Sequence, residues 1–502
     1  MRAAAATLLL VLARAASAAL GTDPFVYDPR FNGAVVIEDR FAATTLATSD
    51  QGLRVAIGGD GSVIASGLAG PAYQAPAPPG NFGMVRYGTA GDRTPWANPT
   101  ASYSYFDNHY VDYPNSSGVN IGWVSDMKVF RGYIYALVDI GPADGNRDVH
   151  VLAFRDGDGA FVGDTGAFTS GLDETGAALV PYCEHHLVVG GVPVLECSLI
   201  AVANYFTGAR NVITMKRFSI NPADGGLSVS TSFGISNNGA MDQAAPNALC
   251  DAGSGCSWVA SSATAVRSAD DTNPTLYLAG TVATSATEHD GVVIAVNGFD
   301  GSLAGTFGGG SGIYVNYQAS SSYGVVIAAS TSGDPATDVA FLVAQIQESC
   351  GARVGVTKLR AQVILPGGTQ TQPDYNWGNG GTRDIGGNGG LCGNVYTNPW
   401  DTTLDADRLI VVGYESNGTY HEPLFAVVRA ADGALVEYTR AGFTPLRSDG
   451  SAWGGGAFAS VAARGGGCYA VSGWLYDASA GNAILFGTAS LVSDRVFGND
   501  FE

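Results

Sequence analysis

Lysine is nearly missing from this chain, with three among 502 residues, and methionine is scarce at five. Charged residues make up only 14%, so long surface helices laced with ion pairs have nothing to be built from. Beyond the first residues no segment approaches the roughly 18 apolar residues that span a bilayer as a helix. The formal net charge is −20, which repels phosphate backbones and anionic lipid and excludes nucleic acid and membrane surfaces as natural partners. The nucleophile elbow is absent, because no serine has glycine both two before and two after it. HExxH and C-x-x-C are absent as well, which removes the common zinc signatures. Glu184-His185-His186 holds the one histidine pair, and neighbours on a strand point to opposite faces, so the two rings do not converge on one ion.

What is abundant is glycine, 70 residues without a collagen period, in a chain that is 46% hydrophobic. That combination describes many short strands joined by tight turns. The N-terminus has the order of an export signal: Arg2, an apolar stretch from Ala3 to Ala13, and the small residues Ala16-Ser17-Ala18 as the cleavage site. Residues 1–18 are therefore read as a signal peptide and the mature protein as secreted or periplasmic. Seven cysteines fit that oxidising setting. Cys183 and Cys197 bracket two strand-like runs around Gly190-Gly191 and are expected to face each other as a disulfide. Cys250 and Cys256 close the short loop CDAGSGC and form the second expected pair. Cys350, Cys392 and Cys468 are left without an assigned partner.

A repeat organises the rest. Asp-Gly, a small residue and an apolar residue recur at Asp60, Asp158, Asp224, Asp300 and Asp432, and the last four are spaced by 66, 76 and 132 residues. The spacing places a degenerate copy near Pro366. Apolar runs such as IYALVDIG, LIAVANYF, LYLAGTVA and LIVVGYES precede the turns, followed by second runs such as VVIAVNGF and LFAVVRAA. Asp-Gly between such runs marks a hairpin whose two central residues favour φ > 0. Three or four strands per unit make a meander that cannot bury both faces alone, and radial stacking solves this. The expectation is an all-β protein over 19–495, a β-propeller of about seven antiparallel β-meander blades, with six as the fallback. Residues 71–130 read as an insertion, 369–400 as an irregular loop, and 496–502 as a C-terminal tail.

The stretches RFSINPADGGLSVSTSFG (217–234) and VNGFDGSLAGTFGGGSG (296–312) resemble the delta-60 repeat of bacterial exported propeller-like proteins. Weaker copies stand at 150–168 and 425–443, so the motif covers about a third of the chain. The resemblance implies an architecture and no chemistry. The closing FGNDFE resembles a Phe-Glu-ended tail of exported proteins from some Gram-negative bacteria.

Three constellations bear on function. Asp144, Asn146 and Asp148 have the D-x-N-x-D opening of a calcium loop, but Val149 stands where the EF-hand type needs glycine and Arg155 where it needs glutamate. A structural calcium is the one cofactor this pattern offers. The run Ser448-Asp449-Gly450-Ser451-Ala452-Trp453 has the wrong spacing for a sialidase Asp-box and reads as a turn. Tyr103, Tyr105, Phe106, Tyr110 and Tyr113 lie within eleven residues beside Asp107, Asn108 and His109, and aromatic faces next to amides and carboxylates suit sugar or peptide stacking.

The expected role is a non-enzymatic propeller that binds an extracellular polysaccharide or protein through loops on one face. Its rivals are a glycan hydrolase or lyase with its site in the central channel, which needs two carboxylates about 5–10 Å apart, and a structural surface protein without a small ligand. Exported material should begin near Ala19. N-terminal sequencing of the secreted or periplasmic protein checks this, and a chain that retains Met1 would overturn the export reading.

Overall fold

The computed structural model describes residues 25–28, 30–32, 37–39, 51–69, 81–94, 96, 110–112, 120–141, 147–166, 168, 172–187, 193–234, 239–246, 249, 256–266, 274–285, 288–305, 307–308, 311–316, 321–330, 339–348, 351–365, 368–386, 395–416, 421–438, 455–477 and 483–493. Among them there is no α-helix, as the scarcity of long helix-forming side chains requires.

Two short strands, β1 (Phe25–Tyr27) and β2 (Ile37–Asp39), precede seven antiparallel meanders. The first is β3 (Gln51–Ile57), β4 (Val63–Ala69), β5 (Asn81–Tyr87) and β6 (Tyr110–Asp112). The second is β7 (Asn120–Phe130), β8 (Tyr133–Gly141), β9 (Asp148–Arg155) and β10 (Phe161–Asp164). The third is β11 (Glu174–Leu187), β12 (Pro193–Phe206) and β13 (Asn211–Ile220), with β14 (Leu227–Val229) and β15 (Ala240–Gln243) both paired to β13. The fourth is β16 (Ser257–Val266), β17 (Thr275–Ala283), β18 (His289–Asn297) and β19 (Ile313–Asn316). The fifth is β20 (Ser322–Ser330), β21 (Val339–Glu348) and β22 (Gly351–Leu365), edged by β23 (Gly368–Pro373) and β24 (Thr382–Ile385). The sixth is β25 (Val395–Asp405), β26 (Arg408–Ser416), β27 (His421–Arg429) and β28 (Leu435–Tyr438), joined to the fifth by a short parallel pairing of Gly351 with Val395 and Ala352 with Tyr396. The seventh, β29 (Gly456–Gly465), β30 (Cys468–Asp477) and β31 (Ala483–Ser493), receives β1 and β2 at its outer edge.

The first strand of each meander touches the first strand of the next, and β29 returns to β3. The ring is closed, and the chain is a seven-bladed β-propeller. Pairing of Phe25 with Ser493 and of Ile37 with Thr488 fastens the beginning of the chain to its last blade. That arrangement also covers the edge that β31 would otherwise present.

Packing explains why the second and third strands read as unbroken apolar runs. Seven buried clusters occur, one at each blade-to-blade interface. Side chains of one strand alternate between two of them. Leu276 and Leu278 of β17 enter the cluster shared with the third blade, while Tyr277 and Ala279 enter the one shared with the fifth. Ile410 and Val412 of β26 face the seventh blade, and Leu409 and Val411 the fifth. A sheet that is apolar on both faces needs a neighbour on each side. Each fully buried leucine, isoleucine or valine contributes roughly 1.5–3 kcal/mol.

A second repeat is visible only in the backbone. In every blade the first strand carries a β-bulge against the second. The register shifts lie between Gly52 and Arg54, Val124 and Asp126, Gly176 and Ala178, Ala260 and Ser262, Gly324 and Val326, Pro399 and Asp401, and Phe458 and Ser460. Bulges add twist and re-aim side chains at the narrow centre of the ring.

The Asp-Gly turns differ from the two-residue hairpin expected of them. Asp158, Asp224, Asp300 and Asp432 are not among the positive-φ residues, and only the glycines after them are, at φ 71°, 72°, 74° and 75°. The chain reverses over six residues: the N–H of Arg155 donates to the Ala160 carbonyl and that of Gly159 to the Arg155 carbonyl. Each aspartate accepts from the backbone N–H two residues on, at 2.9–3.2 Å. The side chain thus replaces the left-handed backbone that a tighter turn would demand. Asp60 caps Ser62 in the same way, but it joins the first and second strands of its blade instead of the third and fourth, so it is not in phase with the others.

The segments read as an insertion and as an irregular loop both contribute strands to the blades. Residues 71–130 include β5, β6 and β7, and 369–400 include parts of β23 and β25 and all of β24. Their proline, glycine and aromatic residues obscured the alternation along which strands are recognised.

Aromatic donors tie each turn to the preceding blade. Trp96 Nε1 donates to the Asp156 carbonyl at 2.8 Å, Tyr182 Oη to that of Gly298 at 2.9 Å and Trp377 Nε1 to that of Ala430 at 2.9 Å. Tyr135 Oη serves the turn of the third blade through the Gly225 carbonyl at 3.1 Å. Tyr182→Phe removes one such donor without changing the ring. The buried Gly298 carbonyl then lacks its partner, and stability should fall by about 1–3 kcal/mol, measured by urea denaturation. An unchanged midpoint would show that these bonds do not couple the blades.

Candidate functional site

The residues expected to bind or bridge are distributed as follows. Tyr103, Tyr105, Phe106 and Tyr113 lie outside the described residues, and Tyr110 begins β6, the outermost strand of the first blade. Asp144 and Asn146 lie outside them too. Asp148 opens β9, half-buried, with an Oδ1 that no donor reaches. Among the described residues no group of three or more His, Cys, Asp or Glu side chains is arranged to hold a metal ion. Cys183 and Cys197 stand opposite each other on β11 and β12 and form a disulfide, with Cα atoms 4.0 Å apart. Cys256 is also disulfide-bonded, and Cys250 lies outside the described residues.

In each meander the first strand begins, and the second ends, on the same side of the ring. The Asp-Gly turns and the Cys183–Cys197 hairpin occupy the other side. On the first of these faces, at the seam of the sixth and seventh blades, Trp400, Tyr414, His421 and Trp474 come together. Ring centroids of Trp400 and Trp474 are 4.5 Å apart, those of Trp400 and Tyr414 5.9 Å, and those of Tyr414 and Trp474 6.5 Å. His421 stacks on Tyr414 at 4.5 Å with 23° between planes. The Trp and Tyr rings are partly exposed and His421 is exposed. A half-open group of large rings is unusual in a protein that buries Trp258 and Trp377 completely.

Backbone geometry places these rings. The register shift between Pro399 and Asp401 leaves Trp400 as the residue without a partner on β26. Tyr414 and Trp474 each follow a glycine on a second strand. A Cβ at Gly413 or Gly473 would come within 1.9 Å of the carbonyl oxygen of Asn398 or Ala457, so only glycine lets the second strand lie this close to the bulge. Burial pushes the Tyr414 phenol above, and the His421 imidazole below, its ordinary value. Below the cluster, Glu415 is buried and accepts from Thr397 Oγ1 at 2.9 Å and from Tyr438 Oη.

The best-placed carboxylates are committed to holding blades together. Asp126 accepts from the N–H groups of Met127 and Leu179, both at 2.8 Å, and from Lys128. Glu174 accepts from the Val149 N–H at 2.9 Å, and Asp401 from Ser460 Oγ at 2.7 Å and the Val461 N–H at 3.0 Å. Asp139 accepts from the Gly176 N–H at 2.9 Å and Ser125 Oγ at 3.3 Å. Burial pushes its pKa up to about 7, a value suited to proton transfer. Yet Asp139 is 2% exposed and buried between the second and third blades. The sequence offered no means of separating these carboxylates from the other acidic residues, because their partners lie on neighbouring blades.

No protein-family model and no curated protein matches the chain by sequence. Solved structures align with much of its length. A protein of unknown function from Dyadobacter fermentans is 11% identical over 91% of this chain and 98% of its own, with a TM-score of 0.40. A polysaccharide lyase of family PL25, an ulvan lyase, is 12% identical over 77% and 80%, with a TM-score of 0.38. The β-propeller domain of the trilobed protease from Pyrococcus furiosus is 7% identical over 78% and 98%, with a TM-score of 0.27. At these scores the similarities carry no argument.

Asp139 generates a pH prediction with a definite sign. Its folded value lies above that of the unfolded chain, so the native state holds the extra proton between about pH 4 and pH 7. Stability is therefore greater at the acid end of that window and falls as pH rises through 7, by an order of magnitude of 2–4 kcal/mol for this group. Asp139→Asn should flatten this part of the profile in urea melts at successive pH values. An identical profile in the variant would overturn the assignment.

Proposed function

We propose that this chain is an exported, non-enzymatic propeller that binds an extracellular polysaccharide or protein through the face bearing Trp400, Tyr414, His421 and Trp474. The observation that carries the reading is the partial exposure of those rings at the seam of two blades. Flat apolar faces with polar edges hold sugar rings or extended peptides at a small entropic cost. The export signal, the disulfides and the resemblance to the delta-60 repeat support an extracytoplasmic setting. Removal of the inner carboxylates into backbone hydrogen bonds weighs against hydrolysis in the channel. Tyr103, Tyr105, Phe106, Tyr110 and Tyr113 are a second set of candidate binding residues, and separate substitutions distinguish them from the first.

The test uses the oxidised mature protein against insoluble polysaccharides and cell-wall fractions, scored both for retention on the solid and for soluble sugar released. Retention without release is expected, and Trp474→Ala should weaken it by roughly tenfold, the effect of removing a central aromatic anchor. Release of sugar would overturn the non-enzymatic reading. Equal retention of the wild type and Trp474→Ala would overturn the site, and retention then lost in Tyr105→Ala and Tyr110→Ala would move it to the 103–113 segment.

A further inference from the structure

We infer that the Trp400–Tyr414–Trp474 platform is one end of a track that holds an extended polysaccharide chain across the fourth to seventh blades, an inference that rests on the platform being the binding site. The track is continuous from contact to contact. At the seam of the fourth and fifth blades the His289 and Tyr323 rings lie with centroids 5.3 Å apart. Tyr323 is the cross-strand partner of Gln345 on β21. At the next seam Gln345 Nε2 donates to Asn398 Oδ1 of the sixth blade, and Gln347 Nε2 donates to Gln345 Oε1 at 3.3 Å. Asn398 is the cross-strand partner of Tyr414, which meets Trp474 of the seventh blade at 6.5 Å. Every side chain along this line is partly exposed. Tyr396, two residues before Asn398 and on the same side of β25, is 41% exposed.

The blade repeat explains why these groups line up. Gln345, Tyr414 and Trp474 are each the seventh residue of a second strand, β21, β26 and β30. Tyr323 and Asn398 each stand immediately before the bulge of a first strand. In the second and fourth blades the seventh position holds Asp139 and Thr281, both buried. In the fifth to seventh it carries an amide or a large ring at the open face. A sugar unit offers a C–H face, which an aromatic ring covers, and a rim of hydroxyls. Side-chain amides serve the hydroxyls, with two N–H donors and a carbonyl that accepts twice. Among the described residues Asn398 Nδ2 and Gln347 Oε1 make no hydrogen bond within the protein. Rings that alternate with amides along one line therefore suit a chain of sugars. An extended peptide is held instead by an open sheet edge or a continuous apolar groove. The five links from His289 to Trp474 span roughly 5 Å each, so the track outreaches a disaccharide.

Isothermal titration of the full mature chain tests this with disaccharides and hexasaccharides prepared from cellulose, xylan, mannan, chitin and polygalacturonate, and with a polyproline peptide. The expected result is a hexasaccharide that binds at least about tenfold tighter than its own disaccharide, the effect of one or two added hydrogen bonds. Trp474→Ala should weaken both lengths about tenfold. Gln345→Ala should shrink the advantage of the hexasaccharide to about twofold. Gln347→Ala should shrink it in the same direction, and it decides the matter if a urea melt shows Gln345→Ala to be poorly folded. Equal affinity for the two lengths, still weakened by Trp474→Ala, would overturn the track and leave the platform standing. A length advantage that survives both glutamine substitutions would do the same. Peptide binding lost in Trp474→Ala, with no oligosaccharide bound, would overturn the glycan and keep the platform. Glycan binding indifferent to Trp474→Ala, or no binding of any probe, would overturn the platform and the track with it.

Discussion

Each sheet of this protein is apolar on both faces, and the rest of the molecule follows from that constraint. Four short strands with two greasy faces are insoluble alone, and a stack of such sheets leaves two faces bare at its ends. Closing the stack into a ring leaves none. The seven buried clusters, one per interface, are the physical statement of that closure. β1 and β31 complete it, since a ring held only by side-chain contact at one seam would open there first.

Ring closure brings first strands together near the axis, and a flat, fully paired strand does not fit that space. The bulge present in every blade is the accommodation, and it disturbs the ladder where the blades are closest. Backbone groups at or near the bulges find side chains of an adjacent blade instead. Asp139 takes the Gly176 N–H, Asn204 the Ala260 N–H at 2.7 Å, and Asp401 the Val461 N–H. Buried acids here thus serve the backbone's hydrogen-bond accounting. The same bulge, with Trp400 at its apex in the sixth blade and with glycine on the second strand beside it, turns aromatic rings toward one face. One backbone device therefore both closes the ring and builds the platform.

The turn residues and the apolar runs were legible in one dimension. LYLAGTVA and LIVVGYES are second strands, VVIAVNGF and LFAVVRAA third strands, and Cys183 faces Cys197, all from spacing and local chemistry. The first and fifth blades were harder to see, because their Asp-Gly marker is displaced or missing and their strands carry glycine and proline. The aromatic platform was not visible as a unit. Trp400, Tyr414 and Trp474 are separated by up to 74 residues, and only a glycine immediately before Tyr414 and before Trp474 hinted that two of them share a position. Attention to aromatics adjacent in sequence, 103–113, favoured a different surface for the simple reason that proximity along the chain is the one proximity a sequence displays.

By itself the sequence determined the class of structure: all-β, repeated, acidic and short-stranded. Those properties are sums over residues or relations between near neighbours, and local backbone preference and apolar burial are enough to enforce them. Only the tertiary structure decided which carboxylates are sealed into blade interfaces and which rings meet at the seam of the sixth and seventh blades. Both depend on the angle between blades and on the register of bulged strands. These arise when the whole ring closes, and no single segment of the chain encodes them.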